Sequence, residues 1–228
     1  MKTIIKTVLL ASTVLVLTAC APDEQQEATS SVSTGNSQDF ISEEREPERT
    51  LIVYFSMPET GGVDAVAGSS RVVTDEDEVL GNVQQMAYWI EEQTGSDVFQ
   101  INTVDAYPGD HDELVAQGEA ENESNFRPEI ANHIENLEDY DTILFGYPIW
   151  VYDLPSVVYS FLEDTDLSGK TIIPFNAHGG SEFTGTREAI AELEPNATVE
   201  IDNGLTISRN DVPNAQQEVV DWLTDIGY

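Results

Sequence analysis

The sequence predicts an α/β protein in which helices cover both faces of a parallel β-sheet. Apolar runs without polar alternation indicate strands that are covered on both sides. Three such runs occur, in LIVYFSMPETGG at 51–62, DTILFGYP at 141–148 and KTIIPF at 170–175. Helical patterns lie between the strands, and this alternation favours right-handed parallel crossovers and a three-layer sandwich.

Two strands and three helices are predicted in the first half of the folded part. The first strand is followed by VDAVAGSSRVVTDEDEVLGN, residues 63–82, whose glycines, serines and acidic residues predict an inserted loop. A helix should follow, because Val83, Met86, Ala87 and Ile90 recur at helical spacing before Thr94-Gly95 ends the pattern. We then expect a strand at about 97–101, a turn and polar helix in AYPGDHDELVAQGEAENE, and a short helix in RPEIANHIENLEDY, with Pro128 near its start.

The second half repeats the alternation of strand and helix. The strands at 141–148 and 170–175 are each followed by apolar residues at helical spacing. A last strand is expected in NATVEIDNGLTISR, residues 196–209, before a closing helix. The apolar residues that define these three helices are Val157, Val158, Phe161 and Leu162, then Ala189, Ile190 and Leu193, then Val219, Trp222, Leu223 and Ile226.

Net charge limits the classes of partner. The chain has 9 basic and 43 acidic residues, a formal net charge of −34. No basic stripe is available to neutralise phosphates, so nucleic acid is excluded as a partner. Such an acidic surface keeps a protein soluble and is typical of salty surroundings.

The N-terminal region has the layout of an export signal followed by a tether. Residues 1–19 combine two lysines with a short apolar stretch, which predicts a cleaved signal peptide rather than a membrane span. LTAC at 17–20 resembles the lipobox of bacterial lipoproteins, which implies that Cys20 carries lipid and anchors the mature chain. The alternative is an ordinary signal with an incidental cysteine. Residues 20–49 are polar and predict a disordered acidic tether before a folded domain at 50–228.

Three predicted strand ends carry the candidate chemistry. In parallel sheets, ligands bind beyond the carboxyl ends of the strands. The loops there are Ser56–Gly62, which is rich in hydroxyls, Tyr147–Pro155, which carries Trp150 and Tyr152, and Asn176–Ser181, a glycine turn with a histidine. These loops predict a site for a flat aromatic ligand with a phosphate group.

Three motifs in the same order resemble those of flavodoxins. They are YFS at 54–56, GYPIW at 146–150, and SGKTIIPF followed by HGGS within 168–181. The resemblance covers roughly residues 50–228 and implies bound FMN and a five-stranded parallel sheet in the order 2-1-3-4-5. In this chain the phosphate loop of the family is split, with Ser56, Thr60 and Gly61 before the insert and GNVQ (81–84) after it. An outward bulge of the insert would still allow the two halves to meet at a helix start.

The loops and the resemblance together predict a set of FMN-binding residues. For Asn82 and Gly81, simple helix capping and chain turning remain open alternatives to phosphate contact. Core burial is the alternative for Trp150, and His178 is either a proton donor or a turn residue bonded to backbone. His111 and His133 lack metal-ligand spacing. The predicted cofactor-binding residues are Ser56, Pro58, Thr60, Gly81, Asn82, Val83, Gln84, Pro148, Ile149, Trp150, Tyr152, Asn176, His178, Gly179 and Gly180.

These features favour an exported, lipid-anchored FMN protein that transfers electrons, as a carrier or as a small flavin reductase. The cofactor would supply the redox chemistry and the protein would set its potential. Without a GxGxxG motif, direct use of a nicotinamide nucleotide is disfavoured. Two alternatives remain open: a non-catalytic flavin-binding or storage lipoprotein, and a scaffold that has lost FMN because its phosphate loop is split.

Overall fold

The computed structural model describes residues 49–58, 71–73 and 79–228, and the fold lies within these ranges. The predicted signal peptide and residues 20–48 of the predicted tether, including Cys20, lie outside the described residues, and so does Thr60. Arg49, predicted as the last residue of the tether, belongs to the fold, because its carbonyl accepts the backbone N–H of Asp141 at 2.9 Å. The strands are β1 (Thr50–Tyr54), β2 (Arg71–Val73), β3 (Val79–Gly81), β4 (Asp97–Gln100), β5 (Thr142–Pro148), β6 (Thr171–His178), β7 (Thr198–Val199) and β8 (Leu205–Ser208). The α-helices are α1 (Asn82–Thr94), α2 (His111–Ser124), α3 (Ser156–Asp164), α4 (Thr186–Leu193) and α5 (Gln216–Asp225).

The main sheet is parallel, with the order β4-β1-β5-β6 and a fifth position beside β6. Counted along the chain, this is the predicted order 2-1-3-4-5. One face of the sheet packs against α1 and α5, and the other packs against α2, α3 and α4. The α/β class and the three-layer architecture are therefore confirmed. None of the helices in the described part of the chain has the length and apolarity that a bilayer span requires.

The fifth position is shared by two short strands instead of the single strand that we predicted. β7 pairs with Thr171 and Ile172 at the start of β6, and β8 pairs with its end, from Phe175 to His178. Pro174 lies between these two stretches, and its carbonyl oxygen faces Gly204 of the connecting segment. Because proline has no N–H, the ladder loses a donor on that side, which accounts for the interruption.

The predicted short helix in RPEIANHIENLEDY is wrong. Apart from a 3₁₀ turn at Leu137–Asp139, this segment is irregular and runs beside the chain that follows β4. Ile130 forms an antiparallel bridge with Thr103, and the Asn132 amide donates to the carbonyl of Gln100 at 2.8 Å. The edge of the sheet thus gains hydrogen bonds that a helix at this place would not supply. The inserted loop also differs from the prediction, because β2 and β3 within it form an antiparallel pair.

Glu194, which follows α4, is a buried carboxyl far from the carboxyl edge of the sheet. It is 6 % exposed, and its Oε1 has no hydrogen-bond partner among the described residues. Burial raises the pKa of Glu194 to about 7, against an opposing hydrogen bond from the Leu167 backbone. The folded state therefore holds this proton more tightly than the unfolded state. The tighter binding of this proton stabilises the folded state. This stabilisation is fully present below the ordinary pKa of 4.5 and is lost as the pH rises towards 7.

We expect Glu194→Gln to be more stable than wild type at about pH 8, by about 2 kcal/mol, because the amide removes the cost of a buried negative charge. The difference should shrink as the pH falls to about 4.5. Urea unfolding at several pH values measures it. Glu192→Gln is the matched control, because it makes the same charge change at an exposed position of α4. Identical pH profiles for both variants and wild type would show that Glu194 keeps an ordinary pKa.

Candidate functional site

The halves of the split loop meet at the end of β1. Ser56 follows this strand and lies against Gly81, the residue that precedes α1. A Cβ atom added to Gly81 would lie 2.1 Å from Ser56 Oγ. The insert therefore leaves and rejoins the fold at one point. Ser56 is 5 % exposed, and its Oγ has no hydrogen-bond partner among the described residues. A buried hydroxyl of this kind requires a partner, and a bound ligand can supply one.

The start of α1 has the properties of an anion site. Gly81 is the N-cap and Asn82 the first helical residue, so the alternative that Asn82 is the cap is wrong. Gly81 is the last residue of β3 and its backbone is extended. The Gln84 side chain accepts the Gly81 N–H at 3.3 Å, while the N–H groups at the helix start have no partner within the helix. No acidic residue occupies the first turn of α1, whereas Asp112 and Glu113 do so in α2. The positive end of the α1 dipole is thus not neutralised by a carboxylate of this turn.

The other candidates in this region differ in accessibility. Val83 is fully buried in the core between α1 and the sheet, so only its backbone can face a ligand. Pro58 is half-buried and is the last described residue before the insert. The region that follows it, with Thr60, is not part of the described structure.

A tight turn follows β5 and Ile149. Trp150 and Asp153 exchange backbone hydrogen bonds of 3.0 and 2.9 Å, and the two residues between them have positive φ, 50° for Val151 and 64° for Tyr152. These values define a type I′ turn, which glycine and asparagine usually occupy. A β-branched valine in this conformation is strained, and such strain is concentrated at ligand sites. Tyr152, at the turn apex, is 77 % exposed.

Trp150 lies in the turn, but its side chain packs into the core. It is 4 % exposed and makes edge-to-face contacts with Phe55 and Tyr107, at centroid distances of 5.4 and 5.1 Å. The Tyr107 hydroxyl donates to the buried carboxylate of Glu121 at 2.8 Å, which fixes the Tyr107 ring. The indole Nε1 of Trp150 has no hydrogen-bond partner among the described residues. The core-burial alternative therefore describes most of this side chain, although Trp150 also lines a cleft. Pro148 and Ile149, which precede it, are buried as well.

Asn176 and His178 belong to β6 and not to the turn that we predicted. Asn176 has no exposed surface; its Oδ1 accepts from the Thr206 hydroxyl at 2.6 Å, and its amide donates weakly to the Glu182 carbonyl at 3.4 Å. Its hydrogen-bonding groups are therefore used inside the protein. His178 Nδ1 accepts the N–H of Gly180 at 2.9 Å. This contact is the one expected of a turn residue bonded to backbone, and the N–H of Gly180 is consequently engaged.

A cleft of about 290 Å³ separates these two loops from α2. The turn at 150–153 and the glycine turn, which we define as Gly179–Ser181, line two sides of it. The third side is α2, which sequence reasoning missed: Leu114, Val115, Gly118 and Glu119. One signal was available. A glycine inside a helix often marks a close approach, and a Cβ on Gly118 would lie 3.6 Å from Trp150 Cε3.

The cleft contains few charges, in contrast to the surface. Glu119 is the only Asp, Glu, Lys, Arg or His among the described residues that line it. No group of three or more His, Cys, Asp or Glu side chains with metal-binding geometry occurs in the described part of the chain. Aliphatic, aromatic and glycine surfaces make the cleft suited to a flat, largely apolar ring.

Comparisons with known proteins agree with this architecture. A candidate flavoprotein from Bacteroides eggerthii superposes with a TM-score of 0.58 at 22 % identity, over 80 % of this chain and 99 % of the other. A flavoprotein from Lactobacillus acidophilus, solved in complex with FMN, gives a TM-score of 0.52 at 18 % identity, over 77 % and 99 % of the two chains.

A match to a sequence-family model assigns the chain to a protein family. No curated protein sequence matches the chain. The family model described as flavodoxin matches residues 78–226, which is more than half of the chain, from the end of the insert to α5. The protein therefore belongs to the flavodoxin family.

Proposed function

We propose that the protein binds FMN at the carboxyl edge of its sheet and transfers electrons. We further propose that a lipid anchor holds it to a membrane outside the cytoplasm. The observation that carries the proposal is the Ser56 hydroxyl, buried and without a partner among the described residues, beside the start of α1. A phosphate there would accept hydrogen bonds from this hydroxyl and from the backbone at Asn82, Val83 and Gln84. The FMN complex of the Lactobacillus acidophilus flavoprotein, which shares the fold, supports this cofactor.

The cleft supplies the second half of the proposed site. Tyr152 presents an accessible ring at one side, and the glycine turn allows close approach at the other. Trp150 holds the base of the turn and carries an indole N–H that a ligand acceptor could satisfy. Bound FMN would supply the capacity to accept and donate electrons, and the protein would orient it and exclude water from one side.

Binding of FMN should depend on its phosphate. In a fluorescence titration, FMN is expected to bind tightly at one site and riboflavin, which lacks the phosphate, much more weakly. Ser56→Ala should weaken FMN binding about tenfold, the effect of one hydrogen bond to a charged group, and leave riboflavin binding unchanged. Equal affinities for FMN and riboflavin, or no binding of either by the folded protein, would contradict the proposal.

The form of electron transfer is tested on the FMN-loaded protein. A carrier is expected to show two separated one-electron steps in a redox titration. A reductase is expected to oxidise a nicotinamide nucleotide steadily in the presence of an acceptor. If FMN binds but the loaded protein shows neither two separated one-electron steps nor steady oxidation of a nicotinamide nucleotide, the protein is a storage protein instead.

The membrane anchor is proposed from the LTAC sequence at residues 17–20. Cys20→Ser should move the protein from the membrane fraction to the soluble fraction, because stable anchoring requires more than one acyl chain and these would be attached to this cysteine. Fractionation followed by immunodetection measures the change. The FMN affinity of the released protein should equal that of wild type. A variant that stays with the membrane would rule out lipid attachment at Cys20.

A further inference from the structure

The glycine turn that lines the cleft is held by a neighbouring side chain. Gly180 has φ of 127°, a conformation that essentially only glycine adopts, so the backbone of the turn has several alternatives close in energy. Its N–H is fixed by the 2.9 Å hydrogen bond to Nδ1 of His178. Gly179, Gly180 and Ser181 form one side of the cleft. The imidazole therefore determines the shape of that side.

His178 itself is rigidly placed. It is the last residue of β6, paired in register with Ser208 of β8, and its carbonyl accepts the backbone N–H of Arg209 at 2.9 Å. The side chain is 7 % exposed. β8 holds the backbone of His178, and the Ile149 N–H donates to the carbonyl of the preceding Ala177 at 3.0 Å. The imidazole therefore does not follow the turn if the turn moves.

The hydrogen bond exists in one protonation state only. Nδ1 accepts when it carries no proton, and protonation places an N–H opposite the N–H of Gly180. Burial lowers the pKa of His178, and Arg209 lowers it further. Glu182, in the loop after β6, and Asp211, after β8, oppose this by favouring the imidazolium. The neutral form consequently predominates at neutral pH and is lost in acid.

We propose that the neutral imidazole of His178 is a positioning group that holds the glycine turn in its ligand-binding shape, so that protonation of His178 releases the turn and weakens binding in the cleft. The proposal rests on the proposed function, with FMN as the ligand. Because Nδ1 is engaged by the backbone, His178 acts through Gly180. The expected consequence is a protein that loses its cofactor more readily in acidic surroundings.

The test compares FMN dissociation constants between about pH 7.5 and pH 5 for wild type, His178→Asn and His178→Leu. Asn Oδ1 can take the place of Nδ1 as acceptor but cannot be protonated in this range, whereas Leu has no acceptor. We divide each dissociation constant by the value for the same protein at neutral pH. Relative to His178→Asn, wild type should bind progressively more weakly as the pH falls, by up to about tenfold when His178 is fully protonated, since one hydrogen bond is lost. His178→Leu should bind FMN weakly at both neutral and acidic pH, because it has no acceptor for the Gly180 N–H. His178→Asn, which has one, should bind FMN more tightly than His178→Leu at both pH values. The FMN phosphate and the surface carboxylates titrate alike in all three proteins.

A second measurement does not need the cofactor. In FMN-free protein, the amide resonance of Gly180 should shift with pH in wild type, at the same midpoint as the His178 ring, and stay constant in His178→Asn. Parallel pH profiles of FMN binding in wild type and His178→Asn, or a Gly180 amide that ignores the His178 titration, would overturn the proposal. If no protein binds FMN but the Gly180 amide titrates with His178, the FMN function fails and the control of the turn by His178 stands.

Discussion

Gly81→Ala is expected to weaken FMN binding by about a hundredfold or more, equivalent to about 2.7 kcal/mol. The added Cβ would lie 2.1 Å from Ser56 Oγ and 3.2 Å from Ser56 Cβ. Gly81 has φ of −71° and ψ of 154°, a conformation open to alanine, so the steric conflict alone produces the effect. Either Ser56 moves or the start of α1 moves. Both changes separate the proposed phosphate donors. Fluorescence titration with FMN measures the loss.

A double variant distinguishes the effect of the steric clash between residues 56 and 81 from the effect of losing the Ser56 hydroxyl. Ser56→Gly combined with Gly81→Ala removes Oγ and Cβ at position 56 and should recover the stability that Gly81→Ala loses, about 1–3 kcal/mol. FMN affinity should remain low, because the hydroxyl is absent. If Gly81→Ala alone binds FMN like wild type, the close contact between Ser56 and the helix start has no part in phosphate binding.

Gly146→Ala is expected to cost about 3 kcal/mol of unfolding free energy or more, the upper range for overpacking a core. Gly146 lies within β5, where a Cβ would approach the Phe175 ring to 2.3 and 2.5 Å and Val83 Cγ1 to 2.9 Å. Phe175 has no exposed surface, and its ring also contacts that of Trp222. The ring therefore has no free space into which it can rotate. Urea unfolding measures the loss.

Two further variants complete this experiment. Phe175→Leu in combination with Gly146→Ala should restore part of the stability, because the smaller side chain removes the ring atoms in conflict. Gly118→Ala is the matched control, since its Cβ would meet Trp150 at an ordinary 3.6 Å. It should stabilise α2 by up to about 1 kcal/mol through helix propensity. Equal stability of Gly146→Ala and Gly118→Ala would show that the core around β5 is looser than the structure indicates.

The sheet and the core of α1 were predictable because burial on both sides leaves a direct signal in the sequence. The apolar runs correspond to β1, β5 and β6. The four residues that defined the first helix are all completely buried against the sheet: Val83, Met86, Ala87 and Ile90. Their spacing follows from helix geometry, and the structure keeps this helix.

The errors arose where distant contacts decide the local structure. The composition of residues 127–140 is compatible with a helix, but the bridge between Ile130 and Thr103 and the bonds of Asn132 to the edge of the sheet favour an extended path. The last strand is interrupted because Pro174, on its neighbour, presents no N–H. Pairing partners of this kind cannot be identified from one strand's own sequence.

The candidate site was predictable where it depends on the strand order and not predictable where it depends on contacts between distant elements. Loops after parallel strands must lie at one edge, so the proximity of the turns at 150–153 and 179–181 followed from topology. The depth of Trp150 depends on Phe55 and Tyr107, which come from other elements. The contribution of α2 to the cleft depends on where that helix crosses the sheet, and its polar sequence gave only Gly118 as a signal.

The most direct test of the account is a crystal structure of the protein with FMN. We expect the phosphate within about 3 Å of Ser56 Oγ and of the backbone N–H groups that begin α1, the usual distance of such hydrogen bonds. The ring should lie in the cleft, between the turn at 150–153 and the glycine turn. A complex in which Ser56 Oγ still has no partner and the ring lies outside this cleft would contradict the account.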